Sequence, residues 1–151
     1  MGVRLDGRRI LWVEDRFDTL RKEQHALRAC GADVKYAVTV NSAYEMLQSS
    51  DFDLVILDTL LPQGDTLPGE LFECRREAGL EESSERLGLV LGLWLVERRR
   101  TIKFFFYTII PDDADTSLRM KLDPDGTRFV DKADESTWGE MFPVIVFQRL
   151  S

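Results

Sequence analysis

The run Asp53–Asp58, DLVILD, decides the fold. Four consecutive apolar residues, Leu54 to Leu57, lie between two acids. A strand that alternated apolar and polar side chains would have one wet face. An unbroken apolar run of this length reads instead as a strand covered on both faces, the central strand of a parallel sheet.

Working outward from it, strands and helices alternate. Ile10–Val13 forms a first strand, and Phe17–Cys30 suits a helix with Leu20 and Leu27 inward and Gly31 as its stop. Val34–Val38 makes a second strand. Asn41 or Ser42 caps a helix that runs through Leu47. Beyond Asp58, Leu87, Val90, Leu91, Trp94 and Leu95 recur with helical spacing and predict an amphipathic helix. Lys103–Tyr107 is a fourth strand. Asp112 and Asp113 start a short helix that ends before Pro124, Asp125-Gly126 is a turn, and Arg128–Val130 is a fifth strand. A last helix begins near Glu135, where Pro143 threatens it by removing a hydrogen bond and clashing one turn back. Gly139 sits at that upstream position and softens the clash. Strand–helix alternation of this kind predicts an α/β fold with helices on both faces of a parallel sheet.

Polar residues gather at the carboxyl ends of these strands. Glu14 and Asp15 follow ILWV, Asp58 follows DLVIL, Thr108 follows KFFFY, and Lys132 follows RFVD. Ligands of open α/β sheets bind along that rim. Three acids, a hydroxyl and an ammonium converging there can hold a divalent cation and a phosphoryl group together. Taken singly, each has a plainer reading: a solvated acidic loop, a helix cap, a surface lysine.

Composition sets the bounds. A length of 151 residues suits one domain, and 44% hydrophobic with 31% charged residues permits a packed core. The net charge of -7 and the lack of a basic stripe argue against direct nucleic-acid binding. Cys30 and Cys74 form no metal-ligand spacing and read as plain thiols of a reducing cytosol. Apolar segments too short to span a bilayer and a polar N-terminus predict a cytoplasmic protein without membrane insertion. One segment is unusual. Residues 62–86 hold seven acids and three arginines, with room for a short helix around Glu70–Glu77. It reads as an inserted surface loop, able to shield the rim or to select a partner.

The stretches ILWVED, DLVILDTLLP, FYT and VDK, in this order and each at a strand end, resemble those of response-regulator receiver domains of two-component signalling. The resemblance covers nearly the whole chain, with residues 62–86 as an insertion between the third strand and the helix that follows it. It implies a flavodoxin-like doubly wound sheet in strand order 2-1-3-4-5, and a single receiver domain over 1–151 with no output domain. It implies Asp58 as the acceptor of a phosphoryl group from a sensor histidine kinase or a phosphotransfer protein. Mg²⁺ would be held by Asp15, Asp58 and the backbone carbonyl of Leu60, with Glu14 in a water-bridged contact. Thr108 and Lys132 would bind phosphoryl oxygens. Thr108 and Phe129 would form the switch, Phe129 moving inward by packing alone because it lacks a hydroxyl. The signal would leave through a downstream protein target on the surface of the helix before the fifth strand, that strand, and the last helix.

The sequence also departs from the family. Ala133 follows Lys132 where proline in a cis link is usual, which predicts either a trans link with an altered loop or a strained cis link. Ile109 stands where a small residue is preferred and would narrow access to Asp58. Leu60 and Ile110 are apolar where polar residues often orient the hydrolytic water, which predicts slow self-dephosphorylation. These departures keep a rival open, a non-phosphorylated pseudo-receiver acting as an interaction module. An aspartate-nucleophile phosphatase of the haloacid dehalogenase type would need an aspartate at position 60, where leucine stands. His25 reads as an ordinary surface histidine.

Overall fold

The computed structural model describes residues 2–62, 66–80, 86–109 and 116–151. The strand Leu54–Leu57 (β3) lies at the centre of a five-stranded sheet with β1 (Arg9–Val13), β2 (Asp33–Ala37), β4 (Phe104–Thr108) and β5 (Phe129–Asp131). The order is β2-β1-β3-β4-β5, and every pair is parallel. This is the predicted flavodoxin-like topology. Thr108 is the last residue of β4 rather than the first beyond it.

Side-chain alternation sends each strand's residues to two separate cores. Leu11, Val13, Val55, Leu57, Phe104 and Phe106 face one, beneath α2 (Val40–Ser49), α4 (Leu87–Arg98) and α5 (Thr116–Leu122). Ile10, Trp12, Leu54, Ile56, Phe105 and Tyr107 face the other, beneath α1 (Arg21–Ala29) and α6 (Phe142–Leu150). Both faces of β3 are therefore dry, as its unbroken apolar run demands.

Several local expectations change. Phe17–Cys30 is not one helix: Phe17–Thr19 forms a 3₁₀ turn, and α1 begins only after Leu20, whose φ of -121° breaks the helical path. Gly31 does stop it, at φ +90°. Thr39, not Asn41 or Ser42, caps α2, its hydroxyl accepting from the Ser42 amide at 3.1 Å. Asn41 instead donates its side-chain amide to the Thr66 carbonyl (2.6 Å). No helix grows from Glu135. Two 3₁₀ turns, Glu135–Thr137 and Gly139–Met141, precede α6, which places Pro143 in its first turn. There the missing N–H costs no intrahelical bond, so the feared clash does not arise. The predicted start at Asp112 and Asp113 falls outside the described residues.

The largest change concerns residues 62–86. They carry the short helix expected around Glu70–Glu77, α3 (Gly69–Glu77), which packs on α4, but the segment also sinks Leu67, Leu71 and Cys74 into the core with α2 and α4. Trp94, fully buried on α4, donates its indole N–H to the Glu70 carboxylate on α3 (2.7 Å). The segment is therefore no mere surface loop. Its presence also explains why α4 is not amphipathic: Leu87, Gly88 and every residue from Val90 to Leu95 are buried. A helix that is apolar on all sides needs cover on all sides. The sheet supplies one side and α3 another.

Candidate functional site

Parallel strands deliver their last residues to one rim. β1 ends before Glu14, β3 before Asp58, β4 at Thr108, and β5 just before Lys132. Main-chain bonds continue the ladders into the rim: the Glu14 amide donates to the Ala37 carbonyl (3.0 Å), that of Asp58 to Val13 (3.1 Å), and that of Lys132 to Thr108 (2.8 Å). The backbone there is held as firmly as in the strands themselves.

Asp58 is buried, and its carboxylate is shared among three groups. Its Oδ1 accepts from the Thr108 hydroxyl (2.7 Å) and from the Thr59 amide (2.8 Å). Its Oδ2 lies 3.2 Å from the Lys132 ammonium, which reaches on to Glu14 Oε2 at 2.6 Å. The structure thus brings Asp58, Thr108, Lys132 and Glu14 into one hydrogen-bonded group.

Glu14 is fully buried, and its second oxygen accepts from the Arg16 amide at 3.1 Å. Burial pushes its carboxyl up to about 7, and the nearby charge of Asp58 pushes the same way; Lys132 and the Arg16 amide pull it down. One oxygen each from Glu14, Asp15 and Asp58 lie within 4.8 Å of one another. Three carboxylates around one ammonium leave an excess of negative charge. Hard oxygen donors in that excess suit a small divalent cation such as Mg²⁺. The direct Glu14–Lys132 pair shows a further role for Glu14, that of holding the lysine.

The departures from the family take definite form. The Lys132–Ala133 link is trans. The loop after it is fixed by other means: the Ala133 amide donates to the Asp131 carboxylate (2.9 Å), and the Trp138 indole N–H to the Lys132 carbonyl (2.8 Å). Ile109 is 67% exposed and Leu60 53%. Ile109 lines a cavity of about 700 Å³ together with Lys132, Ala133, Trp138 and Tyr107. Ile110 lies outside the described residues. Phe129 is half-buried, stacked on Phe106 with ring centroids 4.7 Å apart, and the Arg119 guanidinium covers it at 5.0 Å. Phe142 is buried, whereas Trp138 and Phe147 are about half exposed.

Three residues of consequence were not singled out from sequence. Thr59 is buried, and its hydroxyl lies 2.9 Å from that of Thr108. Asp123, also buried, accepts from the amides of Thr127, Arg128 and Phe129 and so fixes the approach to β5. Gly88 begins the contact between α4 and the Asp58 backbone. Its pairing with Gly92, four residues on, was a legible sign of close packing.

Solved structures of similar shape cover nearly the whole chain. The receiver domain of HemR from Leptospira biflexa, non-phosphorylated, superposes with a TM-score of 0.65 at 20% identity, over 95% of this chain and 94% of that one. A response regulator from Thermotoga maritima gives 0.61 at 18%, over 95% and 97%. A CheY-like receiver domain protein from Methanospirillum hungatei gives 0.63 at 17%, over 95% and 90%. The fold is that of a response-regulator receiver domain. No family model matches the sequence, and no curated protein does. The receiver fold is thus reached here with little sequence in common. No helix among the described residues is long and apolar enough to cross a membrane.

Proposed function

We propose that this chain is a phosphoacceptor response regulator. It takes a phosphoryl group from the phosphohistidine of a kinase or phosphotransfer protein onto Asp58, and signals through protein contacts. The observation that carries this reading is the meeting of Thr108 and Lys132 on the two oxygens of one buried aspartate, at 2.7 and 3.2 Å. A purely structural carboxylate would need no hydroxyl and ammonium from two other strands.

Asp58 is the nucleophile. One of its oxygens forms the new P–O bond as the donor's P–N bond breaks, and the electron pair leaves with the imidazole nitrogen. Lys132, steadied by Glu14, neutralises phosphoryl oxygen, and the Thr108 hydroxyl turns from the carboxylate to a second phosphoryl oxygen. Mg²⁺ would be held by Asp15, Asp58 and the Leu60 carbonyl, with Glu14 nearby, and it supplies charge neutralisation at the transferring group. Positioning and electrostatics do most of the work in such transfers.

The test is phosphotransfer from a panel of histidine kinases, with Asp58→Ala as control, alongside titration with Mg²⁺ and beryllofluoride. Labelling of the wild type and a spectral change that Asp58→Ala abolishes support the reading. A wild type that responds to neither is a pseudo-receiver.

A further inference from the structure

Beside Asp58, the buried hydroxyl of Thr59 lies against that of Thr108. We infer that Thr59 is a positioning residue that sets Thr108 in its inward place while Asp58 is still a free carboxylate. This inference takes its functional meaning from the reading of Asp58 as phosphoacceptor.

A threonine hydroxyl has one proton to give. The Thr108 hydroxyl lies 2.7 Å from Asp58 Oδ1, an acceptor with no proton of its own when ionised, so its proton is spent there. The contact between the hydroxyls of Thr59 and Thr108, at 2.9 Å, must then run the other way: Thr59 donates and Thr108 accepts. The Thr59 amide donates to the same Asp58 oxygen at 2.8 Å, so main chain and side chain of Thr59 close a ring around Asp58 and Thr108. Both threonines are buried, 6% and 1% exposed, so bulk water does not compete for these bonds. Chains of hydrogen bonds that start on a charged acceptor strengthen one another.

The consequence is a switch with little rotation left to make. Thr108 is already drawn to the acceptor. Phe129, in register with Phe106 and stacked on it, is already tucked against the sheet. A ligand that needs Thr108 inward finds that state populated and binds without a conformational tax.

The experiment compares Thr59→Val, which keeps shape and removes the hydroxyl, with Thr59→Ser, which keeps the hydroxyl. Three-bond couplings to the Thr108 methyl group report its χ1 rotamer by NMR, without and with Mg²⁺ and beryllofluoride. In the wild type and in Thr59→Ser, Thr108 should hold one rotamer in both conditions. In Thr59→Val it should average between rotamers without beryllofluoride and settle only when beryllofluoride binds, with an affinity loss of about fivefold, the worth of one neutral hydrogen bond. A single fixed rotamer in Thr59→Val, or an averaged one in the wild type, overturns the inference. So does a Thr59→Ser that behaves like Thr59→Val. The couplings measured without beryllofluoride do not depend on the phosphoacceptor reading. Failure of the wild type to respond to beryllofluoride at all strikes that reading instead.

Discussion

Gly88 sits directly on Asp58. The amide of Gly88 donates to the Thr59 carbonyl at 3.1 Å, and a Cβ at this position would overlap the Asp58 carbonyl oxygen and lie 2.9 Å from Thr59 Cα. The first turn of α4 is therefore seated on the backbone of Asp58, with nothing in between.

Gly88→Ala should be costly. The atoms it would strike are main chain, which cannot swing aside, so overpacking should outweigh the roughly 1 kcal/mol that alanine gains over glycine in a helix. A net loss of about 2 kcal/mol in urea unfolding is expected. Gly69→Ala, at the start of α3 with nothing within 4 Å of its added Cβ, should be near neutral.

Lys132→Met should expose the repulsion between Glu14 and Asp58. Lys132 lies 2.6 and 3.2 Å from their carboxylates, and the three side chains are 16%, 1% and 12% exposed. Removing one partner of so buried a group costs about 3 kcal/mol. Without chelator, Mg²⁺ should restore part of that loss by supplying positive charge. Thermal melts with EDTA and with millimolar Mg²⁺ should therefore differ more for the variant than for the wild type.

Leu71→Ala should unsettle the whole domain although it lies in the 62–86 segment. Leu71 is fully buried in the core shared with α4, so its truncation should cost about 3 kcal/mol. Phe72→Ala, next along α3 but 54% exposed, should stay within about 0.5 kcal/mol of the wild type. Equal effects for the two would mean that α3 is merely draped on the surface.

Tyr107 gives the chain a signature in alkali. Burial pushes its phenol up to about 12, against a hydrogen bond with Thr137 that pulls the other way. A tyrosine in the unfolded chain ionises near about 10. The folded state holds this proton more tightly, so the associated stability is complete below about pH 10 and is lost as pH rises through 12. Absorbance titration should show one phenol ionising above the usual tyrosine range, and Tyr107→Phe should remove it. Tyr107→Phe should flatten the decline of stability in that window.

The frame of the fold was legible because β3 could be read without ambiguity. A fully apolar run fixes a strand between two helical layers, and the polar residues at strand ends then fall on one rim by topology alone. Glu14, Asp58, Thr108 and Lys132 were found in that way. Thr59 was not, because a threonine after an aspartate has no pattern to mark it; only the third dimension brings its hydroxyl to Thr108. Asp123 was hidden for the same reason, since its three partners are backbone amides. The misreading of α4 had a different cause. Its periodicity was real, but so was the apolar character of Leu89 and Leu93 on its other sides, and a one-dimensional stripe cannot show that a second helix lies over it. Pro143 was read as a breaker because the two short turns before it left no helical signature.

The bridge between Leu61 and Arg86 joins the two ends of the α3 excursion side by side. A detour that returns to its own point of departure can change length with little entropic consequence for the strand that launches it. Its contents are another matter. With α3 excised, the loss of Leu71 and Cys74 would leave a leucine-rich helix bare, so the segment cannot simply be cut out: α4 would first need a polar coat.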